Sequence, residues 1–209
     1  MNSLNIANWD RREIYDFFSG ISNPFYSITF RQDVTRLREY TKKNEISFYY
    51  ALVWLCTKAI NSIPEFLVSL EDNMLVAFER REPSFTDINP GASHFHIVTM
   101  SASSKLDEFC RDALNISRNQ KGFIDFEKEM DNLIYFSCAP WIDITSLTNE
   151  RDFDPNDSVP RIAWGKYVER DGELELGLSL EVNHKYIDGQ HIGLFHERLT
   201  DLIKNLPNE

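Results

Sequence analysis

The sequence lacks the features that mark several classes of protein. Its three cysteines, Cys56, Cys110 and Cys138, lie far apart, with no CxxC pair and no histidine at metal-ligand spacing beside them. This excludes a disulfide scaffold and gives no reason to expect a metal site. No apolar run approaches the roughly 18 residues of a membrane span, and no charged-then-apolar leader opens the chain. We therefore expect a soluble, cytoplasmic protein with reduced thiols, no metal and no membrane partner.

Positive charge is also scarce. The chain has 22 Lys and Arg against 33 Asp and Glu, a net charge of -11 and a pI near 4.9. Such a balance repels a phosphate backbone, and the basic residues form only short pairs, of which Lys42-Lys43 and Arg80-Arg81 are interpreted as solvated surface. We expect no nucleic-acid partner.

What the sequence does contain is an ordinary globular composition. Of its 209 residues, 42% are hydrophobic and 13% aromatic, which is enough to build a core without disulfide bonds. No internal repeat or linker is visible, so we predict a single domain over residues 1–209.

Apolar periodicity predicts helices that alternate irregularly with strands. The first helix begins after an Asn8–Asp10 cap with Ile14, Phe17 and Phe18 on one face. A later helix starts near Ser104, and its predicted stripe is Leu106, Phe109, Cys110, Ala113 and Leu114. The other predicted helices are Asp33–Lys43, with Val34, Leu37 and Tyr40 inward, Phe48–Ser62, capped by Ser47, and His191–Leu206.

Strand patterns and turn signals supply the rest of the fold. The strongest hairpin signal is Asp171-Gly172, and the polar stretch Thr148–Ser158 is predicted to be a loop or a weakly ordered excursion. The predicted strands are Phe25–Arg31, Phe66–Leu70, Met74–Phe78, Ser93–Met100, Leu133–Ser137, Ile142–Thr145, Ile162–Arg170 and Glu173–Val182. We predict an α/β (α+β) two-layer sandwich, a mostly antiparallel mixed sheet with helices packed on one face.

The segment from His184 to Gly189 is the most informative motif. It reads HxxxDG and lies between a strong strand and a helix, where rigid scaffolds present catalytic groups. By residue frequencies alone this pattern arises in about one or two chains of this length per hundred, and a polar histidine in a turn is the simpler interpretation.

The motif resembles the active-site signature of the chloramphenicol acetyltransferases, and the resemblance extends along nearly the whole chain in the same order. Further segments similar to that family are Trp9–Glu13 (WxRxE), Phe48-Tyr49 (FYP), Pro64–Phe66 (HPEF), Ser137–Trp141 (SxxPW) and Gly165–Tyr167 (GKY). The resemblance implies that family's fold and an acetyl-CoA-dependent O-acetyltransferase acting in chloramphenicol resistance.

The resemblance also assigns chemical roles. A hydroxyl is a poor nucleophile at neutral pH, so a general base must take its proton, and His184 matches that base. Ser137 matches the hydroxyl that stabilises the negative oxygen of the tetrahedral intermediate. Asp188 and Arg11 match a structural ion pair, although from the residues alone an ordinary surface pair would serve equally.

Substrate contacts and assembly follow from the same resemblance. Lys166 and Tyr167 match positions that line the coenzyme A tunnel, although on residue type alone they read as solvent-facing strand residues and Trp141 as possible core. The family also assembles as a homotrimer with sites between subunits. The matched residues are Lys166, Tyr167 and Trp141 for acetyl-CoA and Phe17, Phe18 and Tyr26 for the hydroxyl-bearing acceptor, chloramphenicol or a related small molecule.

Departures from the family pattern leave two alternatives open. Asn183 stands where many members have a second histidine, and Ala163 replaces a threonine that helps hold an ordered water. One alternative is therefore a catalytically weakened acetyltransferase-like protein that binds a small ligand. The other is the core of a dihydrolipoamide acyltransferase, which shares HxxxDG but is usually joined to lipoyl and linker segments.

Overall fold

A computed structural model describes residues 2–4 and 9–207. The predicted cap residue Asn8 lies outside the described residues. The prediction of a single domain over residues 1–209 also includes residues outside them, so it stays a prediction. In chain order the elements are β1 (Asn2–Ser3), α1 (Arg12–Ser19), β2 (Phe25–Asp33), α2 (Thr35–Lys43), α3 (Phe48–Asn61), β3 (Val68–Glu71), β4 (Met74–Ala77), β5 (Glu82–Asp87), β6 (His96–Thr99), α4 (Leu106–Asn119), β7 (Leu133–Ala139), β8 (Arg161–Gly165), β9 (Val168–Arg170), β10 (Glu173–Asn183) and α5 (Gly189–Lys204), with short 3₁₀ turns at Pro64–Leu67 and Phe126–Lys128.

The main sheet confirms the predicted fold class. Its seven strands run in the order β2-β10-β8-β7-β5-β6, with β9 also paired to β10. Strand β7 is parallel to both β5 and β8, and the other pairs are antiparallel. Strands β1, β4 and β3 form a separate small sheet. Helix α3, buried over most of its surface and capped by the Ser47 hydroxyl, lies at the centre of the helical layer.

Strand β10 shows how the sheet separates its two faces. Its residues alternate, so Leu178 and Leu180 point into the hydrophobic core on the helix side. Ser179 and Glu181 lie on the opposite face and are also buried. We call these the helix face and the polar face.

The polar face is covered by the chain that follows β7. The crossing segment (residues 140–147) passes over Gly165 and Gly177, where a Cβ would overlap the backbone of Ile142 and Ile144. The strand predicted at Ile142–Thr145 is therefore wrong, because its alternating isoleucines belong to a chain that lies across the sheet. The cover loop (residues 148–160) follows it, and Arg151 donates a 2.8 Å hydrogen bond to Glu181 of β10.

Packing decides which side chains are buried, and it corrects the predictions for Leu114 and Arg81. Tyr15 is the buried residue of α1, whereas Ile14 and Phe17 are exposed. In α4 the predicted stripe is buried except Leu114, which is exposed. Arg81 is fully buried, not solvated, because its guanidinium donates to the carbonyl oxygens of residues 66, 68 and 133.

Strand β5, which the sequence patterns did not predict, creates a fork in the sheet. It pairs with β7 only from Glu82↔Leu133 to Phe85↔Phe136. Beyond that point β5 continues with β6 to Asp87, and β7 continues with β8 to Ala139. The two strands therefore separate, and Ser137 is the first residue of β7 past the last pair.

Within the part of the chain that the structure describes, none of the helices combines the length and apolar character needed to cross a bilayer.

Candidate active site

His184 is held at the end of β10 by its backbone and by two aromatic rings. Its N–H donates to the Pro24 carbonyl oxygen at 2.8 Å. The imidazole stacks on Phe18 at 4.1 Å between centroids and packs against Tyr26 at 4.5 Å. Nδ1 is buried and makes no hydrogen bond with any described residue. The ring is thus fixed by packing, with Nε2 left to meet an incoming group.

Asp188 ties the turn after His184 to the first helix. Arg11 Nη1 donates to its carboxylate at 2.6 Å, and the Gln190 N–H donates to the same group at 3.0 Å, which caps α5. Burial alone would raise the pKa of Asp188, but the hydrogen bond from Arg11 and the nearby charges lower it. The structure therefore brings Asp188 and Arg11 together as a bonded pair, and Asp188 does not contact His184 through a hydrogen bond.

His191 completes this turn, a role that none of the sequence patterns above predicts. Its Nδ1 accepts the Asp188 N–H at 3.1 Å, so it takes the third-residue position of a capping box. Its Nε2 lies 3.9 Å from the Glu65 carboxylate. Burial lowers the pKa of His191, which keeps the Nδ1 acceptor unprotonated. The spacing of three residues after a cap position is the signal that could have found it.

Ser137 lines a large cavity at the fork between β5 and β7. The cavity measures about 1260 Å³, and side chains from both faces of the sheet line it, as a passage through the fork requires. On the helix-face side it is bounded by residues such as Tyr49, Phe85, Phe136, Cys138 and Trp164, and on the polar-face side by Ser84, Thr86, Ile97, Tyr135, Ser137 and Arg161.

The structure does not bring His184 and Ser137 together within one chain. Ser137 pairs with Ala163 and Ala163 with Ser179, so two strand spacings, about 10 Å, separate Ser137 from β10. His184 lies beyond Ser179 by another five residues, about 16 Å of strand. The two side chains belong to different regions of the same chain.

The three residues matched to coenzyme binding all line the cavity. The ring of Tyr167 packs against Phe48 at the start of α3, 5.3 Å between centroids. Lys166 is exposed, and its N–H donates to the Ile142 carbonyl oxygen. Trp141 is 73% exposed, so the alternative of a core residue is wrong.

The three residues matched to the acceptor pocket lie elsewhere. Phe18 and Tyr26 contact His184, and burial raises the pKa of Tyr26 to about 12. Phe17 contacts Phe18 edge-on and is 66% exposed. Phe18 and Tyr26 thus contact the histidine and Phe17 lies against Phe18, and none of the three lines the cavity that holds Ser137.

The cover loop is ordered by a buried ionic network on the polar face. Arg151 bonds both Glu181 and Asp157, and its guanidinium lies 3.6 Å from the Phe25 ring centroid. Asn183, at the position of the family's second histidine, donates to the carbonyl oxygens of Pro155 and Asp157. The alternative of a weakly ordered excursion is therefore wrong for this loop. Among the described residues, no group of three His, Cys, Asp or Glu side chains is placed to hold a metal ion.

Comparison with known proteins identifies the family of the chain. A family profile described as chloramphenicol acetyltransferase matches residues 1–200. Chloramphenicol acetyltransferase 3 of Escherichia coli is 26% identical, with 95% of each chain covered. A chloramphenicol acetyltransferase of Campylobacter coli is 29% identical, covering 96% of this chain and 97% of its own.

Solved structures support the same fold. A chloramphenicol acetyltransferase structure superposes with a TM-score of 0.88 at 24% identity, covering 97% of this chain and 99% of that one. A dihydrolipoamide acetyltransferase of Azotobacter vinelandii gives a TM-score of 0.70 at 18% identity, covering 92% and 86%. These likenesses show the shared fold, and the match over residues 1–200 shows the family. The chain belongs to the chloramphenicol acetyltransferase family of acyltransferases.

Proposed function

We propose that this protein is an acetyl-CoA-dependent O-acetyltransferase that acetylates a hydroxyl of chloramphenicol or a related small molecule. The observation that carries the proposal is the placement of Ser137 in a cavity lined by side chains from both faces of the sheet. Such a cavity can hold a thioester on one face of the sheet and a hydroxyl acceptor on the other. The names of the relatives point to chloramphenicol as the first acceptor to try.

His184 is the proposed general base. With Nδ1 buried against the protein, Nε2 takes the proton of the acceptor hydroxyl as its oxygen bonds to the thioester carbonyl carbon. The Ser137 hydroxyl donates a hydrogen bond to the negative oxygen that forms there. When the carbon–sulfur bond breaks, His184 returns its proton to the leaving thiolate, so the enzyme ends as it began.

The separation of His184 and Ser137 supports an oligomeric site. Side chains on the order of 20 Å apart cannot act on one bond. We propose that a neighbouring copy of the chain presents its His184 to the cavity of this one, within a homotrimer. The stacked Phe18 and the tilted Tyr26 flank the histidine, and the exposed Phe17 lies against Phe18, on the surface that would face that neighbour.

Coenzyme A is proposed to lie along the rim formed by Lys166, Tyr167 and Trp141. The exposed Lys166 cation suits a phosphate, and the rings of the exposed Trp141 and the half-buried Tyr167 suit the adenine or the pantetheine arm. Acetyl-CoA supplies the activated acetyl group. Ala163, paired with Ser137 on the neighbouring strand, brings no hydroxyl to the reaction centre, so Ser137 is the hydroxyl donor there.

The test is release of free thiol from acetyl-CoA, with and without chloramphenicol, for the wild type and for His184→Ala. We expect acceptor-dependent release that falls roughly 10²- to 10⁴-fold in His184→Ala, and roughly 10²- to 10³-fold in Ser137→Ala. His94→Ala, which removes an exposed histidine, should keep full activity. Release that survives in His184→Ala would reject the proposed base, and no release with chloramphenicol would reject it as the acceptor.

A further inference from the structure

We propose that the acceptor carries several hydroxyl groups, as a sugar or another polyol does, and that Arg161, Tyr135 and Glu129 select it. This inference rests on the proposed transfer at Ser137 and names the class of acceptor for that site. It comes from a row of polar side chains on the polar-face wall of the cavity.

The row lies beside the proposed reaction centre. Tyr135 precedes Ser137 by two residues on β7, so both side chains share one face of the sheet about 7 Å apart. Arg161 pairs with Tyr135 on one side, and Ser84 pairs with it on the other. All of them line the cavity. A ligand held at Ser137 therefore extends over this row.

Arg161 offers donors that the protein itself leaves unused. Its guanidinium lies 5.4 Å from the Tyr135 ring centroid, and Nη1 donates to Asp157 at 2.9 Å. Among residues 2–4 and 9–207 the Arg161 side chain makes no other hydrogen bond, although a guanidinium carries five N–H groups. Because the side chain lines the cavity and is 11% exposed, the other donors are available to a ligand.

Glu129 offers acceptors beside those donors. One carboxylate oxygen accepts from Thr99 at 3.1 Å, and the other lies 3.4 Å from the Tyr135 hydroxyl, a long contact that a ligand hydroxyl could replace. Burial, helped by the charge of Glu129, raises the pKa of Tyr135, so its hydroxyl stays protonated. The wall thus presents a guanidinium, a phenol and a carboxylate in one row.

This combination matches hydroxyl groups better than other polar groups. Adjacent hydroxyls can accept from Arg161 and donate to Glu129 at the same time. A ligand carboxylate could pair with Arg161 but would be repelled by Glu129, and a ligand ammonium could pair with Glu129 but would be repelled by Arg161. An apolar ligand would leave the remaining donors of Arg161 without partners. Phe95 and Phe123, with ring centroids 5.4 Å apart, also line the cavity and suit the C–H face of a sugar ring.

Binding can be measured apart from turnover by titration calorimetry. The probes are 4-nitrophenyl glycosides of β-glucose, β-galactose and α-mannose, compared with 2-(4-nitrophenyl)ethanol, which has a similar arene and one hydroxyl. We expect at least one glycoside to bind about 10-fold more tightly than the alcohol. Arg161→Met and Glu129→Gln should each reduce that ratio about 10-fold, to about one, the effect of losing a hydrogen bond to a charged group.

Matched controls separate selection from general damage. Arg111→Met and Glu127→Gln remove exposed side chains that do not line the cavity, so they should leave the ratio unchanged. Glu129 is half-buried, and glutamine has nearly the same shape as glutamate. Glu129→Gln therefore still tests the inference if Arg161→Met fails to fold. Equal binding of glycosides and alcohol, or an unchanged ratio in Glu129→Gln, would overturn the inference.

Turnover then tells the two proposals apart. Chloramphenicol acetylated without glycoside binding would retain the transferase and reject the polyol acceptor. Glycoside binding that depends on Arg161, with no thiol release from acetyl-CoA for any acceptor, would retain the selective wall and reject the transferase.

Discussion

The helix face and the polar face of the main sheet are built from the same strands, yet they are stabilised differently. On β10, Leu178 is buried among the helices, and its neighbour Ser179 is equally buried beneath the crossing segment. The helix face needs only apolar volume. The polar face instead needs hydrogen-bond partners for its buried polar groups, and it needs glycine at positions 165 and 177, where there is no room for a side chain. One face therefore tolerates conservative exchange, and the other does not.

The largest effect should come from the closest approach on the polar face. A Cβ at position 177 would overlap the Ile144 carbonyl oxygen and lie 3.0 Å from its Cγ1 atom. Because backbone cannot move aside cheaply, Gly177→Ala should reduce the free energy of unfolding by about 4 kcal/mol or more, measured by urea denaturation.

Gly193 in α5 provides the matched control, because a Cβ there meets nothing within 4 Å. Gly193→Ala should stabilise the protein by about 0.5–1 kcal/mol, since alanine is the better helix former. Equal effects at the two glycines would show that the crossing segment does not rest on Gly177.

An intermediate effect should separate neighbouring residues of β10. Leu178→Ala empties part of the core and should cost about 3 kcal/mol. Ser179→Ala removes hydrogen bonds to Ser27 and to the Leu147 carbonyl oxygen, and should cost about 1 kcal/mol. The measurement is again urea denaturation. A larger loss at Ser179 than at Leu178 would mean that hydrogen bonding, not apolar volume, dominates the stability of this strand.

The smallest effect concerns pH at the turn where β10 ends. Because the pKa of His191 is lowered in the fold, the unfolded chain takes up this proton first as pH falls, and stability is lost below about pH 6.5. His191→Gln keeps an acceptor for the Asp188 N–H but does not titrate. Between about pH 7.5 and pH 5.5, the free energy of unfolding should fall in both proteins. The fall should be smaller in His191→Gln than in the wild type, and the difference between the two should be about 0.5–1 kcal/mol.

His94→Gln is the control for this measurement, because His94 is exposed on a loop. A pH dependence that is the same in His191→Gln and the wild type would show that His191 does not contribute to it.

Local patterns predicted the elements whose neighbours in sequence decide their structure. Helix α3 and the turn at Asp171-Gly172 are present, and both turn residues have positive φ. Ile142 and Ile144 misled the strand prediction, because alternation cannot distinguish a strand from a chain that crosses one. What decides between them is the absence of side chains at Gly165 and Gly177, which are distant in sequence.

The site was predictable in its motif and not in its surroundings. The spacing of HxxxDG located His184 and Asp188, whereas the pairing of Arg11 with Asp188 across 177 positions was predicted from the family resemblance and not from a local pattern. Strand β5, with Pro83 and two acidic ends, has no clear alternation, so the fork and the cavity were missed. Tyr135 and Arg161 then gained their significance only from register with Ser84 and Ser137.

The fork has a consequence for how such a protein can change. Past Phe136, successive residues of β7 point to opposite faces of the sheet, so Ser137 and Cys138 line opposite sides of the same cavity although they are adjacent in the chain. Substitutions confined to Ser84, Tyr135 and Arg161 would change the polar-face side of the cavity and leave the helix-face side unchanged. The range of substrates can therefore change during evolution through the polar-face side, while the helix-face side is selected separately.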